Sequence, residues 1–366
     1  MNMNTNTTNK ISFLERMIVV GVIFFTLFFV IGYVTNPYNE KADRVIRGLY
    51  SKEKIFDDID VALIGGSHGC NGFNPQEIYK NYGLTAYNFS LSGEPIYVNY
   101  YYLKEMYKTK KPKLVVLDLY YLGMKNEVFR GDNYVFDIIR CFHWNKNRLE
   151  LILCSENERD NKIRAFFPIF QYHSRFDSLT KQDFLRQPEL ENDYLLGSEY
   201  YFDRNAGEVV SFETWDDTEE IGGINEKNKE YLQKIIDLAK ENGSEILLVD
   251  IPHNHVDSGP PDEWVENEYM VMNEAKQIAE KNGIKYLQYD DKIMKEINFV
   301  PEEDMYNKGH MNYWGSVKIS GYLGKWILNN YQLDREIKEK DTWDAYLEEY
   351  QKMVEQELRK RNEIEP

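Results

Sequence analysis

The sequence predicts an α/β domain on a five-stranded parallel sheet, carried behind one N-terminal membrane-spanning helix. Three observations lead there. The unbroken apolar runs Val61-Ala62-Leu63-Ile64 and Leu114-Val115-Val116-Leu117 lack polar alternation and read as strands buried on both faces, as inside a parallel sheet. Two amphipathic segments, residues 227–241 and 263–281, each stop at an Asn-Gly pair and are each followed by a further strand, the alternation of a doubly wound sheet. Residues 17–34 carry no charge, and such a stretch is long enough to cross a bilayer with little tilt.

Taken in order, residues 1–16 are a polar Asn- and Thr-rich tail, 17–34 the anchor and 35–54 a charged linker. The anchor ends in Gly-Tyr-Val-Thr-Asn-Pro without a small-residue cleavage site, so it is expected to stay attached. Lys10 and Arg16 precede it, whereas Lys41, Arg44, Arg47, Lys52 and Lys54 follow. Counted strictly, that balance keeps the large domain in the cytoplasm. The domain proper is assigned to residues 55–330. Its first strand stops at Gly65-Gly66, which lets the backbone turn sharply and leaves Ser67 at the strand's carboxyl end, where open α/β sheets bind ligands. Pro75 suits the first turn of a helix to Tyr82. A short strand over 85–89, the turn Ser90-Leu91-Ser92-Gly93-Glu94-Pro95, a tyrosine-rich helix over 98–107 and the strand 114–119 follow.

Residues 124–225 break this rhythm. Their aromatic clusters at 141–144 and 166–173 lie in charged, helix-favouring sequence and read as a mostly helical insertion, packed for the most part and offering a groove or lid. The two α-β units then supply strands at 245–250 and 284–288. Residues 331–366 form a charged helix whose stripe of Trp343, Tyr346, Leu347, Tyr350, Met353 and Leu358 suits docking on its own domain or on a partner.

A formal charge of -17 without a basic face excludes nucleic acid as a partner. Cys70, Cys141 and Cys154 are too few and too irregular for a disulfide framework or a zinc site. His68, His253 and His255 lack the carboxylate spacing of a metal centre, so neither metal nor cofactor is expected. His68 and His253 are candidates for substrate contact instead. Cys70 is a weaker nucleophile candidate than Ser67, since no basic neighbour is assured.

Ser67 near the start of the domain and Asp304-Met305-Tyr306-Asn307-Lys308-Gly309-His310 near its end are the complements of a Ser-His-Asp device, in which imidazole takes the serine proton and a carboxylate orients the imidazole. Together the two stretches resemble the SGNH (GDSL-like) hydrolase superfamily over residues 55–330. The closer likeness is to its membrane-anchored cell-envelope branch, which includes the protein of lipoteichoic acid D-alanylation and the alginate O-acetylation proteins. The resemblance implies a flavodoxin-like fold and a domain on the extracytoplasmic side. It implies a serine esterase or O-acyltransferase acting on an envelope polysaccharide or teichoic acid, with an acylated donor, a polymer acceptor and a multi-spanning O-acyltransferase as partners. A carbohydrate esterase and a non-catalytic scaffold are the alternatives. Ser67 would be the nucleophile, His310 the base, and the N–H groups of Ser67 and Gly93 the oxyanion donors. Two departures stand out. Where many of these enzymes carry Gly-x-Asn, this chain has Tyr120-Tyr121-Leu122-Gly123, leaving Asn71 or Asn88 as substitute donors. The usual Asp-x-x-His would put the acid at 307, which is Asn307, so the carboxylate is expected from Asp304, with Asn307 as the alternative.

Overall fold

In a computed structural model of the chain, residues 13–37, 40–127, 134–140, 142–155, 159–185, 194–204, 212, 219–256, 259, 261–333 and 336–361 are described. Cys141 and most of the polar tail lie outside them. The chain divides into two compact units, Met1–Asn39 with Glu156–Pro188, and Glu40–Ser155 with Glu189–Pro366.

The first unit holds α1 (Phe13–Thr35), the one helix among the described residues long and apolar enough to cross a membrane. Among the described residues its other elements are the short helices α8 (Arg159–Phe166), α9 (Ile169–Tyr172) and α10 (Lys181–Leu185) and a 3-10 turn at His173–Asp177, from within the insertion.

The second unit is built on β1 (Val61–Ile64), β2 (Ala86–Asn88), β3 (Leu114–Asp118), β4 (Glu245–Asp250) and β5 (Lys285–Gln288), all parallel in the order β2-β1-β3-β4-β5. Val61, Leu63, Val116, Leu247 and Val249 face one way, onto Ile319, Leu323 and Ile327 of α15 (Tyr313–Asn330). Their neighbours Ala62, Ile64, Val115, Leu117 and Leu248 point to the opposite face and are equally buried, so the sheet is covered on both sides. Each such aliphatic side chain contributes about 1.5–3 kcal/mol by leaving water. The chain runs outward from β1 to β2, then back across to β3, and this reversal opens a crevice outside the carboxyl ends of β1 and β3.

Local chemistry fixes the helices. Asn74 accepts from the Glu77 N–H and Pro75 opens α4 (Pro75–Tyr82), which Gly83 ends at φ 63°. The expected Asn-Gly stops are both made, Gly243 at φ 77° after α11 (Glu226–Glu241) and Gly283 at φ 65° after α12 (Tyr269–Asn282). The second of these helices starts six residues later than its apolar pattern suggests. Trp264 is drawn into an antiparallel bridge with Met124, and Glu268 is buried against a histidine.

Residues 35–54 contain α2 (Glu40–Tyr50), with Val45 and Leu49 buried and Gly48 against Tyr87 and Phe89. Apolar residues four apart on a short charged helix suffice to dock it. Between β2 and β4 come α5 (Ile96–Met106), α6 (Tyr134–Arg140) and α7 (Lys146–Ser155), and α13 (Asp291–Glu296) and α14 (Pro301–Asp304) follow β5. The C-terminal α16 (Lys340–Lys360) docks on its own domain: Trp343 and Tyr350 are buried, the Tyr79 hydroxyl donates to Asp344 at 2.6 Å, and the Asn74 amide donates to the Tyr350 hydroxyl at 2.8 Å.

Candidate active site at the carboxyl edge of the sheet

Gly65 and Gly66 allow a close approach that no larger residue permits. A Cβ on Gly65 would lie 2.5 Å from the Asp118 Cβ, and one on Gly66 2.2 Å from the Tyr121 ring. The chain turns there into α3 (Ser67–Gly72), whose first residue is the half-buried Ser67. The next turn along the edge, holding Gly93 at φ 75°, is tied to the same place by the Leu91 N–H donating to the Gly65 carbonyl at 3.3 Å. Ser67 and Gly93 therefore belong to adjacent turns at one edge.

His310 reaches that edge on a tight loop. The Asn312 N–H donates to the Asp304 carbonyl at 3.1 Å, Met305 pairs with Met311, and the Tyr306 N–H donates to the His310 carbonyl at 2.8 Å. Inside the loop the Asn307 side-chain oxygen accepts from the backbone N–H groups of Gly309 at 3.0 Å and His310 at 2.8 Å, and lies 2.9 Å from His310 Nδ1. Those two backbone donors fix which end of the amide is oxygen. A carbonyl oxygen only accepts, so Nδ1 carries the hydrogen and Nε2 keeps its lone pair. This is the tautomer a general base requires.

Asp304 does not take part in that bond. Its buried carboxylate accepts from Lys318 Nζ at 2.6 Å and from the Val300 N–H at 2.7 Å, and so faces α15 and the start of its own helix. The four-residue helix α14 turns the side chain away from the loop that follows. The two substitute oxyanion donors are also committed elsewhere. The Asn88 amide donates to the Gly69 carbonyl at 2.9 Å and the Ser198 hydroxyl at 3.1 Å, and the Asn71 amide to the Glu199 carbonyl at 3.2 Å. Both hold residues 194–202, a turn followed by irregular chain, against the β2 edge, where the Asn88 N–H also donates to the Leu196 carbonyl at 2.9 Å. Gly197 crosses there at φ 88° with no room for a Cβ beside the Asn88 carbonyl.

No protein-family model and no curated protein matches the chain.

Beneath Ser67 and His310 lies a buried array that the motifs do not announce. His68 stacks on Tyr120 with ring centroids 3.5 Å apart, and its ring lies 4.9 Å from that of His253 and 5.5 Å from that of His310. His253 is paired with Glu268, His255 bonds Asp250 at 2.9 Å, and the two imidazoles stack at 4.1 Å. His68 and His253 are thus interior groups, both almost fully buried. Asp250, His253 and His255 bring donor atoms within 4.8 Å of one another. Their arrangement nevertheless suits hydrogen bonds better than a metal: His253 Nδ1 faces the Ile251 carbonyl at 2.7 Å and Nε2 faces Glu268, so both nitrogens donate and neither offers a lone pair.

Burial, joined by the nearby His253, His310 and His255, holds His68 well below the usual imidazole value. Burial acts the same way on His253, yet the Glu268 and Asp250 carboxylates overcome it and raise His253 to about 9. Burial would raise Asp250, but His255 and His253 bring it below the usual carboxylate value. Asp118, at the end of β3, is pushed up to about 7 by burial against the opposing backbone donors of Tyr120 and Gly66. Asp118 and Asp250 had a legible signal, a carboxylate ending an apolar strand at its carboxyl edge. Tyr120 and Glu268 had none.

The Asp118 shift sets a pH slope. A folded-state value of about 7 above an ordinary value near 3.9 means that the native state keeps a proton the unfolded chain releases, so this group's contribution falls as pH rises from about 4 to about 7. Asp118→Asn should remove that loss. Its urea midpoint relative to the parent should rise between pH 5 and pH 8, by about 2–3 kcal/mol in stability. An offset that stays constant with pH would show that Asp118 is ionised in the fold throughout.

Proposed function

We propose that the second unit is an SGNH-type serine esterase or O-acyltransferase, flavodoxin-like in fold, held at the extracytoplasmic face of a membrane by α1 and acting on a cell-envelope polysaccharide or teichoic acid. The observation that carries this reading is the His310 imidazole, oriented through Nδ1 by the Asn307 side-chain oxygen, on the same sheet edge as a serine that opens a helix. The order β2-β1-β3-β4-β5 and the resemblance of the two motifs support the same assignment.

In this reading the Ser67 hydroxyl attacks the carbonyl of an acyl donor while His310 Nε2 takes its proton. The negative oxygen is held by the Ser67 and Gly93 N–H groups, each such donor lowering the barrier by about 3 kcal/mol. His310 then returns the proton to the departing group, leaving an acyl-serine. A hydroxyl of the acceptor polymer attacks that ester, again losing its proton to His310, and regenerates Ser67; water in its place gives a carbohydrate esterase. The tether favours transfer, with the donor delivered by a multi-spanning O-acyltransferase. An amide at 307 orients imidazole but cannot stabilise imidazolium by charge. That feature favours the second reading, a scaffold that has kept the fold and binds the polymer.

The deciding test is to treat the full chain with a fluorophosphonate and locate the adduct by peptide mass spectrometry. A phosphonylated Ser67 is expected. A folded chain that stays unlabelled and still binds envelope polysaccharide would establish the scaffold reading instead.

A further inference from the structure

Residues 159–185 pack on α1 near its carboxyl end. Phe167 and Phe170 meet Phe28 with ring centroids 5.7 and 5.8 Å apart, Phe167 meets Phe29 at 6.1 Å, and a Cβ on Gly32 would lie 3.5 Å from the Ile169 Cβ. The end of α1 is tied down by a cation. Arg175 donates to the Thr35 carbonyl at 2.8 Å while both its terminal nitrogens bond Asp183, so an orphan carbonyl of the helix terminus is satisfied by the guanidinium.

Depth follows from helix geometry. At 1.5 Å per residue, the 23 residues of α1 are about 34 Å long, against about 30 Å of hydrocarbon. Phe28 and Gly32 lie seven and three residues before Thr35, about 5–10 Å inside the helix end, the depth at which interfacial amphipathic helices bury their apolar face. Whatever packs on them shares that depth. The segment is built for it, with Phe170, Phe176 and Phe184 52%, 59% and 59% exposed, comparable with 61% for Phe25 on α1 itself. Its charge differs from that of the rest of the chain: residues 159–185 carry five Lys and Arg against three Asp, in a protein of formal charge -17. Apolar rings among cations suit the headgroup region of an anionic bilayer.

We propose that residues 159–185 are a second membrane contact, an amphipathic platform lying in the bilayer–water interface on anionic phospholipid and clasped to the end of α1. The proposal rests on the reading that α1 spans the bilayer, and the experiment separates the two. The full chain is reconstituted in phosphatidylglycerol–phosphatidylcholine vesicles containing a phospholipid with a photoactivatable acyl chain, and the adducts are mapped to peptides. Adducts on both α1 and residues 159–185 are expected. Adducts on α1 alone would overturn the platform while leaving the span intact, and adducts on neither would overturn both. Phe176→Asp with Phe184→Asp, at exposed positions, should lower adduct yield on 159–185 severalfold and leave that on α1 unchanged. Equal yields in parent and variant would also overturn the proposal, as would equal yields on 159–185 when phosphatidylcholine replaces all the phosphatidylglycerol.

Discussion

Fluorophosphonate labelling of the full chain should vanish in Ser67→Ala and fall by about three orders of magnitude or more in His310→Ala, because serine is a poor nucleophile without its base. The two residues act as a unit, so the double variant should be scarcely slower than either single one. Asn307 separates orientation from charge. Asn307→Ala removes the acceptor that holds Nδ1–H together with two backbone bonds of the same loop, and should lower the labelling rate steeply. Asn307→Asp keeps all three acceptor contacts and adds the charge that stabilises imidazolium, so it should label faster than the parent. Asp304→Asn breaks the Lys318 pair and should lower stability while leaving labelling per folded molecule unchanged. Loss of labelling in Asp304→Asn with full activity in Asn307→Ala would reverse the assignment of the orienting residue. Labelling that persists in Ser67→Ala and disappears in Cys70→Ala would move the nucleophile three residues along.

The largest stability effect should come from the interior. Glu268→Ala leaves the imidazolium of His253 buried without its carboxylate, and breaking one side of such a pair costs about 3–5 kcal/mol. The sign with pH can be worked out. His253 is raised to about 9 in the fold from an ordinary value near 6.5, so the pair's contribution is complete below about pH 6.5 and is lost as pH rises through about 9. The gap in urea midpoint between the parent and Glu268→Gln should therefore be widest near pH 6 and narrow above pH 9. A gap that widens with pH would mean that His253 is neutral in the fold.

The sheet was legible because a strand buried on both faces can hold little but apolar residues, and Val61–Ile64 and Leu114–Leu117 say so directly. The helix stops were legible for an equally local reason, since Asn-Gly is the pair that a left-handed cap admits. Ser67 and His310 could be singled out because each sits in a short motif. What could not be read is where side chains turn. Asp304 and Asn307 are three residues apart, and only the loop closed by Met305 and Met311 decides which of them meets Nδ1. Asn71 and Asn88 looked available as donors because two of their partners, the Glu199 carbonyl and the Ser198 hydroxyl, lie more than a hundred positions away. Glu268 meets His253 from fifteen positions along the chain, and no spacing rule anticipates that.

The insertion between β3 and β4 has a consequence for synthesis. The central pairing of the sheet, Leu114 with Glu245 through Asp118 with Val249, joins segments separated by more than a hundred residues. At ordinary translation rates of about 5–20 residues per second, β3 waits on the order of ten seconds for its neighbour. Until β4 emerges, β3 can pair only on its β1 side, and its other edge is an apolar ribbon open to pairing with any other strand. Phe28 and Phe29 are likewise without Phe167 and Phe170 until residues 159–185 emerge. Synthesis, more than the finished fold, is thus the stage at which this sheet is most exposed to misassembly.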